Sequence, residues 1–206
     1  MNITQEDYDT ILFLTRLSYY DDVDDIYPEP FNKIATVEKF SGLRLNMFDM
    51  DNYTLFIICG TNSLIDWVAN CKVGLGYVPH QYRQAYYYIK NNTPNSFKPI
   101  IIAGHSLGGG IAEYVASSIS YYFKVTCITF NGCGCGHLIH PSLRGVNETI
   151  NVVTDSDILN GITMRIPFAK YYMQHCGEVY VVEDSSFLPL SIKAHSDFKA
   201  MTKVKL

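Results

Sequence analysis

Residues 99 to 110 read Pro-Ile-Ile-Ile-Ala-Gly-His-Ser-Leu-Gly-Gly-Gly, and this stretch constrains the fold more than any other. An unbroken apolar run of this length reads as a strand buried on both faces. It leads directly into Gly104-His105-Ser106-Leu107-Gly108, which has the G-x-S-x-G spacing, and an amphipathic run from Ile111 to Tyr122 comes next. A strand turning this abruptly into a helix places Ser106 in a strained backbone conformation that needs small neighbours on both sides, and Gly104 and Gly108 supply them. The turn lifts the serine hydroxyl clear of the sheet edge, at a helix N-terminus where developing negative charge is favoured. Ser106 is therefore the candidate nucleophile. A phosphate-binding loop is the competing reading, but no Gly-Lys-Ser/Thr follows and the spacing is not G-x-G-x-x-G.

The rest of the chain supplies the sheet that such a turn requires. Thr4 is placed to cap a helix from about Gln5 to Tyr20, with Ile11, Leu12, Leu14 and Leu17 on one side. Asp21 to Pro30 reads as an acidic, proline-bearing loop. Leu43 to Phe48 alternates as a half-buried strand does, and Thr54 to Cys59 reads as a central strand. Gln81 to Asn92 reads as a helix, and Val125 to Phe130, Thr149 to Thr154 and Val179 to Glu183 as further strands. Strands alternating with helices from Thr54 onward predict an α/β fold with a mainly parallel sheet. No repeat or linker divides the 206 residues, so a single domain over 1–206 is expected.

Composition narrows the partners. Charged residues make up 17% of the chain and the net charge is −4, with no basic stripe, which argues against nucleic-acid binding. Glu6, Asp7 and Asp9 precede the first apolar run, and no apolar run approaches membrane-spanning length. A cytoplasmic chain is the expectation, with its six cysteines as reduced thiols.

A serine hydroxyl needs an imidazole base, and the base needs a carboxylate to hold its tautomer. On this kind of sheet the chain order is serine, acid, histidine. Strand Thr149 to Thr154 runs into Asp155-Ser156-Asp157, so either acid stands at the edge where α/β sites form. Of the histidines, His175 and His195 follow Asp157. His195 is favoured because its stretch is polar and lies beyond the last strand, whereas His175 sits in an apolar, tyrosine-rich segment. His105 neighbours the serine but reads as structural. The oxyanion of the tetrahedral intermediate needs two backbone donors. The amide of Leu107 is one, and the turn after Thr54 to Cys59 offers the other at Thr61.

Together these blocks resemble the class 3, fungal-lipase-like branch of the α/β hydrolases. Gly60-Thr61-Asn62-Ser63-Leu64-Ile65-Asp66-Trp67-Val68-Ala69-Asn70 resembles the family's G-T-x-S-x-x-D-W-x-x-N segment. Gly104 to Gly109 is similar to its G-H-S-L-G-G, and Thr129 to Gly132 to its T-F strand end. Asp157-Ile158-Leu159 resembles the site of the family acid, which selects Asp157 over Asp155, and His195 falls where the family places its base. The resemblance implies an α/β-hydrolase fold without cofactor or metal. It also implies hydrolysis of lipid esters (an acylglycerol or a phospholipid A1-type ester) by Ser106, Asp157 and His195, with Thr61 and Leu107 as the oxyanion hole. A lipid or small ester is the expected substrate, with transient contact at a lipid interface. A lid over Asn62 to about Pro79 is implied as well.

The chain departs from the family around Val78 to Tyr82 and at Cys133-Gly134-Cys135-Gly136-His137, and these departures touch substrate shape more than mechanism. Cys133, Cys135, His137 and His140 also spell C-x-C-x-H-x-x-H, but this is tighter than common zinc sites and reads as incidental thiols. Two other functions fit the same residues: a binding module that kept the fold without the chemistry, and an acyltransferase using the same acyl-serine.

Overall fold

The computed structural model describes residues 3–20, 31–38, 41–60, 78–93, 98–139, 148–160, 174–183 and 192–205. Its apolar runs pair into one seven-stranded sheet in sequential order: β1 (Asn32–Glu38), β2 (Arg44–Asp49), β3 (Thr54–Ile58), β4 (Ile100–His105), β5 (Val125–Phe130), β6 (Glu148–Thr154) and β7 (Glu178–Val182). β1, β2 and β3 are antiparallel, and β3 to β7 are parallel. The strands that read as continuous apolar runs, β3, β4 and β5, are buried at every position, as parallel strands covered on both faces must be.

Alternation along each strand sends neighbouring residues to opposite faces. Phe56, Ile58, Ile100, Ile102 and Cys127 join one core, with α2 (His80–Asn92) and α3 (Leu107–Ile119) packed over it. Leu55, Ile57, Ile101, Ala103, Ile128 and Phe130 join the other, beneath α1 (Gln5–Leu17) and the short α5 (Phe198–Met201). A further short helix, α4, spans Ile192–His195. The mainly parallel sheet with helices on both faces is the α/β architecture expected from the sequence. Thr4 caps α1 through a capping box with Asp7, as its sequence position predicts, but the helix stops at Leu17 rather than Tyr20.

Two differences from the sequence reading have local causes. Strand β1 has no counterpart in that reading; it lies at the sheet edge with the side chains of residues 33–38 half-buried or exposed, so it lacks a strong apolar signature. Helix α3 begins at Leu107 rather than Ile111, because three glycines of poor helix propensity are held helical by packing. A Cβ at Gly104 would stand 2.3 Å from the Gly108 carbonyl oxygen, and one at Gly108 would stand 2.1 Å from that of Ile58. The absence of both side chains lets α3 press directly against β4 and the end of β3. The segment Asp21 to Pro30 lies outside the described residues, as do Thr61 to Tyr77.

Candidate active site

The carboxyl ends of β4, β5 and β6 lie side by side, with His105 paired to Phe130 and Phe130 to Val152. The turns leaving these strands therefore converge, carrying Ser106 after β4, Asn131 after β5 and Asp157 after β6. Ser106 has φ 59° and ψ −128°, a conformation disfavoured for residues with a side chain that costs on the order of 1–3 kcal/mol. It is secured on both sides. Its N–H donates to the Phe130 carbonyl at 3.2 Å, and its own carbonyl accepts from Gly109 at 3.0 Å and Cys133 at 3.1 Å. Leu107 is the first residue of α3, so its N–H has no carbonyl one turn earlier to bond within the helix. Thr61, the other expected oxyanion donor, lies outside the described residues, as does the lid segment up to residue 77; Pro79, an expected lid hinge, precedes α2 as its N-terminal cap residue.

The fold brings His195 and Asp157 together. His195 Nδ1 lies 2.5 Å from Asp157 Oδ1, and both side chains are fully buried. A carboxylate oxygen accepts here, so Nδ1 carries the hydrogen, and the neutral form of the ring has its lone pair at Nε2. That Nε2 atom is buried with no hydrogen-bond partner among the described residues. A buried polar atom without a partner is unusual in a folded protein. Asp155, the alternative acid, is exposed, and its side chain accepts from Ser156. His175, the alternative base, points instead at Glu113.

His105 has a defined structural part. Its Nε2 donates to the His195 carbonyl at 2.7 Å, and its Nδ1 accepts from the Tyr19 hydroxyl at 2.7 Å. Burial, with the adjacent His195 ring adding to it, pushes the His105 imidazole down to about 3, so the ring is neutral and has one donor and one acceptor. Burial likewise holds the Tyr19 hydroxyl protonated, with its pKa raised. The same hydroxyl accepts from the Gly60 N–H at 2.9 Å. A continuous run of hydrogen bonds thus joins Gly60, just after β3, to the backbone of His195. Tyr19→Phe leaves the buried His105 Nδ1 and the half-buried Gly60 N–H without this partner, and it is expected to cost about 2 kcal/mol, a fall in Tm of roughly 4–8 °C by thermal unfolding.

Asn131 is a second support that sequence reasoning missed. It has φ 43°, and its amide nitrogen donates to the carbonyls of Ala194 at 3.1 Å and His195 at 3.0 Å. Its amide oxygen accepts from the Thr154 N–H at 2.7 Å. One side chain therefore ties the end of β5 to the end of β6 and to the turn that presents His195. The only signal in the sequence is its place immediately after a buried strand. Glu113 was also missed, although it is the one charge on the otherwise apolar α3 and it is buried. Cys133 and Cys135 are buried thiols. The Cys135 Sγ lies 3.6 Å from Glu113, and burial raises its pKa well above the usual range. His140 lies outside the described residues, and among those described no group of three or more histidine, cysteine or acidic side chains is arranged to hold a metal.

The sheet and its covering helices have the lipase-like α/β-hydrolase architecture. Residues 16–152 match the family model of the Tle-like phospholipase domain, and the chain belongs to that phospholipase-like family. The extracellular phospholipase A1 of Serratia liquefaciens is 33% identical over 94 residues, which cover 46% of this chain and 28% of that protein. The chain thus matches well under a third of that relative's length. Among solved structures, the Rhizomucor miehei lipase in its propeptide complex superposes with a TM-score of 0.63 at 17% identity, over 94% of this chain and 76% of the lipase. A triacylglycerol lipase from Penicillium expansum gives a TM-score of 0.56 at 10% identity, over 87% of this chain and 79% of that one. These likenesses bear on the fold.

Proposed function

We propose that the chain hydrolyses the carboxylic ester of a lipid through an acyl-Ser106 intermediate. Ser106 attacks the ester carbonyl, and His195 Nε2 takes the hydroxyl proton and later gives it to the leaving alcohol. Asp157 holds the proton at His195 Nδ1 and stabilises the imidazolium as it forms. The amides of Leu107 and Thr61 receive the oxyanion, each worth about 3 kcal/mol of barrier. Water then attacks the acyl-serine with His195 as base, releasing the fatty acid.

The observation that carries this reading is the His195 ring itself. Its Nδ1 lies against Asp157, its Nε2 is buried with no hydrogen-bond partner among the described residues, and its backbone carbonyl is held by His105, the residue before the strained Ser106. The class 3 lipase pattern at Gly60 to Asn70 and Gly104 to Gly109 supports it. The phospholipase-like family and the phospholipase A1 relative favour a phospholipid ester, met in transient contact with a lipid surface. No described helix is long and apolar enough to cross a membrane.

The test is labelling of the purified chain with a fluorophosphonate probe and mass mapping of the adduct. The expected result is a single adduct at Ser106, lost in His195→Ala. A wild-type chain that stays unlabelled overturns the reading in favour of a binding module.

A further inference from the structure

A second buried acid–histidine pair lies beneath the candidate triad. His175 Nδ1 is 2.7 Å from Glu113 Oε1; the Glu113 side chain is fully buried and that of His175 is 10% exposed. On its other side, His175 Nε2 lies 3.0 Å from Asn160 Oδ1. Asn160 in turn faces Asp157: its backbone N–H donates to Asp157 Oδ2 at 2.8 Å and its amide nitrogen to the same oxygen at 2.7 Å. Asp157 Oδ1 is the atom held by His195. Acyl transfer through Ser106, His195 and Asp157 assigns no step to Glu113, His175 or Asn160.

The bonds on either side of Asn160 take their direction from the Asp157 end. Asp157 Oδ2 accepts, so the Asn160 amide must present its nitrogen there and its oxygen to His175. That oxygen accepts, so His175 Nε2 must carry a hydrogen. Glu113 lies against Nδ1, and it satisfies that atom whether the pair is imidazolium with carboxylate or neutral ring with carboxylic acid. Glu113 Oε2 is itself engaged, accepting from the Cys135 N–H at 3.3 Å. If the Asn160 amide turned over, its oxygen would meet Asp157 Oδ2, replacing a hydrogen bond with a repulsion, and its nitrogen would meet His175 Nε2, which would have to give up its hydrogen. The amide orientation is thus tied to a hydrogen at His175 Nε2.

We propose that Glu113 and His175 are positioning residues for Asp157, acting through Asn160 to hold the acid's second oxygen so that the first stays aligned on His195. The proposal rests on the reading of Asp157 as the triad acid. A buried acid–histidine pair is a costly way to join α3 to the segment before β7 if joining is its only task, since apolar side chains would serve as well. Its placement one amide away from the candidate acid gives it a reason to be polar. The outer-shell partners that orient metal ligands change activity by about 10- to 100-fold, and the same scale is taken here for partners that orient a carboxylate.

The experiment measures kcat and KM on a soluble p-nitrophenyl ester, with Tm and fluorophosphonate labelling, for the full chain and three variants. His175→Ala removes the donor to Asn160 and is expected to lower kcat about tenfold or more, with KM within about twofold. His175→Gln can place an amide N–H where Nε2 stood but loses the Glu113 bond. It is expected to recover most of kcat at a Tm close to that of His175→Ala. Asn160→Asp keeps the shape but presents an acceptor to Asp157 Oδ2, and it is expected to lower kcat at least as much; it decides the matter if the His175 variants do not fold. Unchanged kcat in His175→Ala or Asn160→Asp overturns the proposal, as does a loss in His175→Ala and His175→Gln that only tracks their Tm. Failure of the triad reading is distinguished by a wild-type chain that takes no label at Ser106. Failure of the positioning role alone leaves wild type and His175→Ala labelled at the same rate.

Discussion

Ser106→Ala is expected to lower ester turnover by about six orders of magnitude, to the background set by the remaining groups. The size of the effect comes from the arithmetic of a covalent route. Without the hydroxyl no acyl-enzyme forms, and the buried base at His195 has no nucleophile to activate. Stability is expected to change little. Alanine must adopt the same positive φ that Ser106 adopts, and the hydrogen bonds that hold the turn are made by its backbone rather than its side chain. The check is residual hydrolysis of a p-nitrophenyl ester alongside circular dichroism and Tm. Turnover at the wild-type rate in a folded variant would refute the role of Ser106.

Asp157→Asn is expected to cost about 10⁴ in kcat, whereas Asp155→Asn stays within about twofold. The surroundings explain why an isosteric change is so damaging. The Asn160 N–H and amide nitrogen both aim at the outer oxygen of residue 157, so an asparagine there keeps its carbonyl toward them. Its amide nitrogen then faces His195 Nδ1 and donates to it. The ring is driven to the other tautomer, with the hydrogen on Nε2, and loses its lone pair where the base is needed. Asp155 is exposed, and its side chain is engaged with Ser156. Steady-state kinetics of the two variants at one pH distinguishes them; a larger loss in Asp155→Asn would move the acid to that position.

The strands that the chemistry most depends on are legible in the sequence because they are buried on both faces. Unbroken apolar runs leave little room for error at Thr54–Ile58, Ile100–His105 and Val125–Phe130. Ser106 announces itself by local spacing, and the order of the chain reduces the acid and the base to two candidates each. The pairing of Asp157 with His195 rather than with His175 depends on a contact across 38 residues, which no local pattern records. The same holds for the supports. Tyr19 meets His105 across 86 residues, and His175 meets Glu113 across 62. Each of these is a polar side chain whose value lies in a partner brought to it by the sheet. Glu113 alone leaves a trace, as an isolated charge on an apolar helix. Helix α3 shows the converse case, in which packing against β3 and β4 overrides a sequence too rich in glycine to be read as helical from its first turn.

The contact of α3 on the sheet also governs how such a chain can diversify. Gly104 and Gly108 are cast against neighbouring backbone, where even a methyl group has no space. Backbone cannot step aside as a side chain can, so substitutions there are removed for loss of folding before any change of substrate is tried. A mutational scan for altered ester selectivity should therefore find a silent band across the strand–helix junction. Heritable variation in the acyl group accepted has to accumulate in positions that touch the ligand without bearing on this junction. Ser106, the proposed nucleophile, sits inside that band, between the two glycines.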